Sequence, residues 1–146
     1  MQPSVLLPTY VFVYGTLRRG ESRDINRLQP APVWVGTAQL PGVLYCLGDY
    51  PGMVLLDAAI NTTSQLVQGE VYAVTPALEQ QLDGIEGILP QPTGEYCKRE
   101  ASVHLSEDGQ LLRCTLYEAT PPFIASKPII ASGDWVRFRQ SLPGGR

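Results

Sequence analysis

Histidine is nearly absent: the 146 residues contain only His104. A histidine-rich metal centre, or a triad that needs a second imidazole, has little to draw on. Cysteine is scarce too. Cys46, Cys97 and Cys114 form no C-x-x-C pair, and an odd count suits a reduced, intracellular chain. They read as small apolar core residues rather than as catalytic thiols, since no base partner is evident. No apolar run approaches membrane length. The N-terminal stretch is too short, and too broken by Pro3 and Pro8, for a signal peptide. A soluble, cytoplasmic protein without a membrane partner is therefore expected. Charged residues make up 17% of the chain and the net charge is −3, so there is no general basic surface and nucleic acid is not an expected partner.

What the chain does have is glycine and proline, 14 and 13 residues, with 44% apolar residues overall. That balance favours many short strands and tight turns over a helix bundle. The length suits one core, and the reading is a single domain over residues 10–142 with tails at 1–9 and 143–146. Tyr10–Tyr14 is an unbroken β-branched and aromatic run, hence a first strand. A charged segment follows, in which Ile25 and Leu28 allow a short surface helix. Val33–Val35 and Val43–Leu47 read as two strands separated by a turn or bulge at Leu40-Pro41-Gly42. Tyr50-Pro51-Gly52 reads as a turn before a strand at Met53–Leu56. The next stretch is a polar loop, whose Asn61 sequon means nothing without secretion. Gln68–Val74 is a further strand. Thr75 then caps a helix with Pro76 at its first position and Leu78 and Leu82 on one face, and Gly84 and Gly87 should end it. After a proline-rich loop, Tyr96–Leu105 and Leu111–Ala119 form a hairpin around Glu107-Asp108-Gly109. A closing helix from Ser132 or Asp134 would turn Trp135 and Phe138 inward. About seven strands and two or three helices without βαβ alternation give an α+β protein: a small mixed β-barrel with flanking short helices.

Two stretches carry chemistry. At Gly15 the first strand stops, and a turn there would leave backbone N–H groups free to hold an anion or a polarised carbonyl oxygen. Taken alone, the glycine equally well just ends a core strand. Arg18, Arg19, Arg23 and Arg27 follow, either drawing in an anionic group or lining a solvated face. The second stretch is Glu86, between Ile85 and Gly87 at a helix exit. If apolar neighbours bury it, desolvation makes it a better proton acceptor near neutrality; otherwise it is an exposed loop acid. Asp83 reads as a helix-end or turn residue. His104 falls on the polar face of its strand, and Arg99 on the apolar face, where it needs a partner. Tyr96 and Tyr117 fit core packing and a ligand contact about equally.

Together these pieces resemble the gamma-glutamylcyclotransferase-like family, in its small bacterial branch related to gamma-glutamylamine cyclotransferases. The resemblance rests on Tyr14-Gly15-Thr16-Leu17, on the segment from Leu44 to Gly52, and on Gln68-Gly69-Glu70-Val71-Tyr72. It continues through Leu82-Asp83 with Glu86-Gly87, Glu95-Tyr96 with Arg99, Tyr117, and Ser132-Gly133-Asp134-Trp135, so it runs over about residues 10 to 136. It implies a small mixed barrel and an intramolecular reaction, in which the α-amine of a γ-glutamyl group attacks its own γ-carbonyl and releases 5-oxoproline and a free amine. It implies Glu86 as general acid/base and Tyr14, Gly15, Thr16 and Leu17 as the γ-glutamyl site, with Tyr96 and Tyr117 as further substrate contacts. No cofactor or metal is implied, the partner is a small γ-glutamyl compound, and the protein would act as a monomer or homodimer. The loop from Ile88 to Glu95 is longer and richer in proline than in the gamma-glutamylamine branch, which leaves the departing amine open. The alternative to an enzyme is a non-catalytic small-molecule binding module on the same barrel.

Overall fold

The computed structural model describes residues 9–56, 65–86 and 94–142. The expected tails up to Pro8 and beyond Leu142, the Asn61 sequon with most of its polar loop, and the proline-rich stretch from Gly87 to Thr93 lie outside the described residues.

Six strands form one sheet in the order β1 (Thr9–Val13), β4 (Leu66–Val74), β2 (Val33–Cys46), β3 (Pro51–Leu55), β6 (Leu111–Ala119) and β5 (Tyr96–Leu105). The sheet closes because β6 also pairs with β1 in parallel, at Val11 and Thr115. β2 reaches β6 twice, through β3 at one end and β5 at the other. The result is a closed mixed barrel flanked by α1 (Pro76–Ile85), a short α2 (Pro121–Ile124) and α3 (Trp135–Ser141).

The expected pair of strands around Leu40-Pro41-Gly42 is one strand of 14 residues. Up to Pro41 it pairs with β4; from Gly42 it pairs with β3. The Pro-Gly step is a corner where the strand changes partner, a place at which a missing N–H and a missing side chain are tolerated. The expected turn at Tyr50-Pro51-Gly52 also moves: Pro51 and Gly52 belong to β3, and the turn lies earlier, with Leu47 N–H donating to Tyr50 O at 3.0 Å. The expected surface helix after Gly20 is a single turn, Ile25–Arg27, capped by Asp24, and Ile25 is fully buried. β1 runs from Thr9 to Val13, one residue earlier than the pattern indicates.

Alternation along β1 sorts the core into two layers. Phe12 and Tyr14 point into the barrel with Leu40, Leu44, Met53 and Leu116. Val11 and Val13 point outward, where Leu78 and Leu82 of α1 cover them together with Tyr72 and Tyr117. Thr75 caps α1 as expected, its Oγ1 accepting from Leu78 N–H at 3.1 Å. The helix passes through Gly84 and stops at Ile85, with Glu86 as its C-cap. The β5–β6 hairpin has the expected register, from Tyr96 opposite Ala119 to His104 opposite Leu111. Arg99 turns to solvent and pairs with Glu118 at 3.0 Å. Asp134 caps α3, which buries Trp135 against the barrel.

Candidate active site

The last residues of β1, the start of β3, the end of α1, the start of β5 and the end of β6 enclose a cavity of about 370 Å³, a size suited to a small molecule. Every residue singled out above for catalysis or substrate contact lines it: Tyr14, Gly15, Thr16, Leu17, Glu86, Tyr96 and Tyr117.

One wall is the turn after β1. A Cβ on Gly15 would lie 2.6 Å from Pro51 Cγ, so only glycine lets the turn lie against β3. The turn is held by Glu70, which is buried. Its carboxylate accepts from Arg19 N–H at 2.9 Å, from Arg18 Nε at 3.1 Å and from the Tyr72 hydroxyl at 2.9 Å. Arg18 also donates to Asp134 at 2.9 Å, which ties the turn to the start of α3. Leu17 O accepts from Ile25 N–H and Thr16 O from Arg23 N–H, both at 2.9 Å. The carbonyls are thus used internally. Among the described residues no acceptor meets the N–H of Thr16 or Leu17, and both residues line the cavity; an unpaired amide beside a cavity is a candidate donor for an oxygen-bearing ligand.

Opposite stands Glu86. The last turn of α1 places it, with its own N–H donating to Leu82 O at 2.9 Å. Glu86 is half-buried and lines the cavity, and its carboxylate meets no donor among the described residues. Burial, reinforced by the nearby charge of Glu95 and opposed by that of Arg23, pushes its pKa up to about 7. A carboxylate at that value exchanges protons at neutral pH without a large driving force in either direction.

The tyrosines frame the cavity more than they offer free hydroxyls to it. Tyr14 donates to Tyr117 O at 2.5 Å and accepts from Met53 N–H at 3.2 Å. Tyr96 donates to Pro51 O at 2.8 Å. Tyr117 donates to Asp83 Oδ1 at 2.6 Å, and Asp83 Oδ2 accepts from Lys98 Nζ at 3.0 Å. Burial lifts all these phenols well above the ordinary tyrosine range, so they stay protonated donors. Their rings give the cavity an apolar surface.

Asp83 is therefore a buried residue near the end of α1, the helix-end rather than the turn alternative, and it fixes that end to β5 and β6. Tyr50, Pro51 and Glu95 also line the cavity without having been singled out as substrate contacts, and of the four arginines after Gly15 it is Arg23 that lines it. Tyr50 donates to Glu95 at 2.5 Å, which pushes the phenol up to about 12. Glu95-Tyr96 and Tyr50-Pro51-Gly52 are visible as short motifs, but nothing local says that they meet. Cys114 is buried, and burial pushes its thiol up to about 12, as suits a packing residue. No helix among the described residues is long and apolar enough to cross a membrane.

A family profile described as gamma-glutamyl cyclotransferase, AIG2-like, matches residues 11–137. A protein of Arabidopsis thaliana named "Putative gamma-glutamylcyclotransferase" is 34% identical over 104 residues, which is 68% of this chain and 53% of that protein. A protein of Vibrio cholerae with the corresponding name is 38% identical over 78 residues, 53% of this chain and 62% of its own length. The chain thus spans little more than half the length of these relatives. Among solved structures, an AIG2-like protein of Mus musculus superposes with a TM-score of 0.72 at 20% identity, over 95% of this chain and 93% of that one. At that identity the likeness speaks for the fold.

Proposed function

The chain belongs to the gamma-glutamyl cyclotransferase, AIG2-like family, and from that premise we propose that it cyclises γ-glutamyl compounds to 5-oxoproline with Glu86 as general acid/base. The observation that carries this reading is the Glu86 carboxylate itself: donor-free among the described residues, open to a cavity, and with its pKa pushed up to about 7. A binding module has no need of such a group, whereas proton transfer does.

The reaction begins with the γ-glutamyl group folded so that its α-amine faces its own γ-carbonyl. Closing a five-membered ring from a held conformer takes most of its rate from positioning, which the tyrosine-walled cavity favours. Glu86 accepts a proton as the amine nitrogen bonds to the γ-carbon. The negative charge that develops on the carbonyl oxygen is met by the free N–H groups of Thr16 and Leu17. The original amide C–N bond then breaks, and Glu86 returns its proton to the departing nitrogen. The products are 5-oxoproline and a free amine, and the carboxylate ends as it began. Tyr14, Tyr96 and Tyr117 shape the γ-glutamyl pocket through their rings.

The test is 5-oxoproline release from a panel of γ-glutamyl amino acids, peptides and amines by the wild type and by Glu86→Gln. Release that disappears in a folded Glu86→Gln variant is the expected result. A fully active variant overturns the role of Glu86. A folded wild type that releases 5-oxoproline from no compound overturns the reaction.

A further inference from the structure

The four arginines after Gly15 are used unequally. Arg18 bonds to Glu70 and Asp134. Arg19 lies over the Trp34 ring, 4.1 Å from its centroid. Arg27 donates to the carbonyls of Ser22 and Glu21. The Arg23 guanidinium makes no hydrogen bond or ion pair among the described residues. Its backbone, by contrast, is fixed: Arg23 N–H donates to Thr16 O, and the next residue, Asp24, accepts from Gly20 N–H at 2.8 Å and Asn26 N–H at 2.9 Å. A rigid turn thus presents, at the exposed rim of the cavity, a cation with no hydrogen-bonded partner among the described residues, near enough to Glu86 and Tyr50 for its charge to act on both.

Arg23 is the one cationic side chain among the described residues that line this cavity, and the other charged groups there are Glu86 and Glu95. Glu95 already accepts from the Tyr50 hydroxyl. A ligand carboxylate entering at the rim is repelled by both acids and attracted at Arg23 alone. Depth decides which carboxylate that is. Gly15 and Leu17 are buried, and the free N–H groups that would face the reacting γ-glutamyl half lie in the same stretch. Arg23 is exposed. The half that departs after cyclisation has to lie toward the open rim.

Resting on the cyclisation reading above, the geometry points to Arg23 as a specificity-determining residue that receives a carboxylate carried by the leaving amine. Compounds in which the γ-glutamyl group is joined to an amino acid or peptide are then favoured over those joined to an uncharged amine. The carboxylate need lie only a few bonds from the departing nitrogen, within the reach of an arginine side chain, and a planar guanidinium can meet it with paired N–H donors.

The test compares γ-glutamyl-L-alanine with γ-glutamyl-ethylamide, which differ only by that carboxylate. The readout is the ratio of their kcat/KM values in the wild type, Arg23→Gln and Arg23→Lys. Both compounds depend on the same Glu86, so any effect of Arg23 on the protonation of that acid cancels in the ratio. The wild type should favour the alanine compound roughly tenfold, the range for a charge-assisted hydrogen bond at a partly exposed site. The preference should vanish in Arg23→Gln, mainly through KM, and largely return in Arg23→Lys. An unchanged ratio in Arg23→Gln overturns the assignment. An equal loss on both compounds also overturns it, because Arg23 would then serve the γ-glutamyl half or the frame. If the folded wild type turns over neither compound, nor any member of the wider panel, the reaction fails and the assignment with it. Turnover of both compounds without preference sinks the assignment alone.

Discussion

Replacing Glu86 by glutamine should stabilise the protein at alkaline pH and leave it unchanged at acid pH. Glutamine keeps the shape of the protonated acid and removes only the charge. In the folded protein burial raises the Glu86 pKa from the ordinary 4.5 to about 7. The fold therefore disfavours the ionised form. That penalty is absent below the unfolded value, develops as the pH rises through the interval between the two, and is complete above the folded value. The gap corresponds to about 3 kcal/mol at 1.36 kcal/mol for each pH unit. Glu86 is only half-buried and lines an open cavity, which reduces this to about 1–2 kcal/mol. For a domain of this length that is a rise in melting temperature of about 3–8 °C. The assay is calorimetric or fluorescence melting of both proteins at about pH 4 and about pH 8, on either side of the interval in which this carboxyl is ionised in the unfolded chain but still protonated in the folded one. Equal melting temperatures at the lower pH and a more stable variant at the higher pH are expected. A difference that does not depend on pH, or a variant less stable at the higher pH, would refute the desolvated, donor-free environment assigned to Glu86.

Three further outcomes are expected. With an active γ-glutamyl compound, kcat/KM expressed per neutral α-amine of the substrate should rise about tenfold per pH unit below about 7 and then level off, because the base must be ionised; a corrected profile flat through that region argues against a carboxylate base. Asp83→Ala should cost about 2–4 kcal/mol in urea unfolding, since it leaves the buried Tyr117 hydroxyl unpaired and removes one partner of Lys98; a loss below about 0.5 kcal/mol, the scale of an ordinary surface change, would place the residue outside the buried network. Gly69→Ala should destabilise by about 3 kcal/mol or prevent folding, because the added Cβ would lie 2.3 Å from Val13 O and under 3 Å from the Phe12 ring; a variant with wild-type melting would show that β1 and β4 are not packed so closely.

Local chemistry alone determined a good part of this protein. Thr75-Pro76 with Leu78 and Leu82 specified a capped helix, because caps and the helical period act within a few residues. Glu107-Asp108-Gly109 between two alternating runs specified a hairpin, since Gly109 accepts the positive φ of 72° that the turn demands. The run ending at Gly15 and the acid at the exit of α1 were both visible as candidate pieces of a site. Their meeting was not. Leu40-Pro41-Gly42 reads as an interruption because Pro41 and Gly42 are breakers, and only closure of the barrel makes it a corner within one strand. Asp83 reads as a helix-end or turn residue, and it does lie near the end of α1, yet only β5 and β6 supply the partners that draw it inside. Arg18, Arg19, Arg23 and Arg27 are indistinguishable in sequence, and the neighbours contributed by β2, β4 and α3 decide which are held and which is free. The protonation of Glu86 is the clearest instance. Desolvation depends on what surrounds a carboxylate in three dimensions, and its surroundings come from strands up to some seventy residues away along the chain. The sequence supplied the groups; the tertiary structure decided their burial, and with it their chemistry.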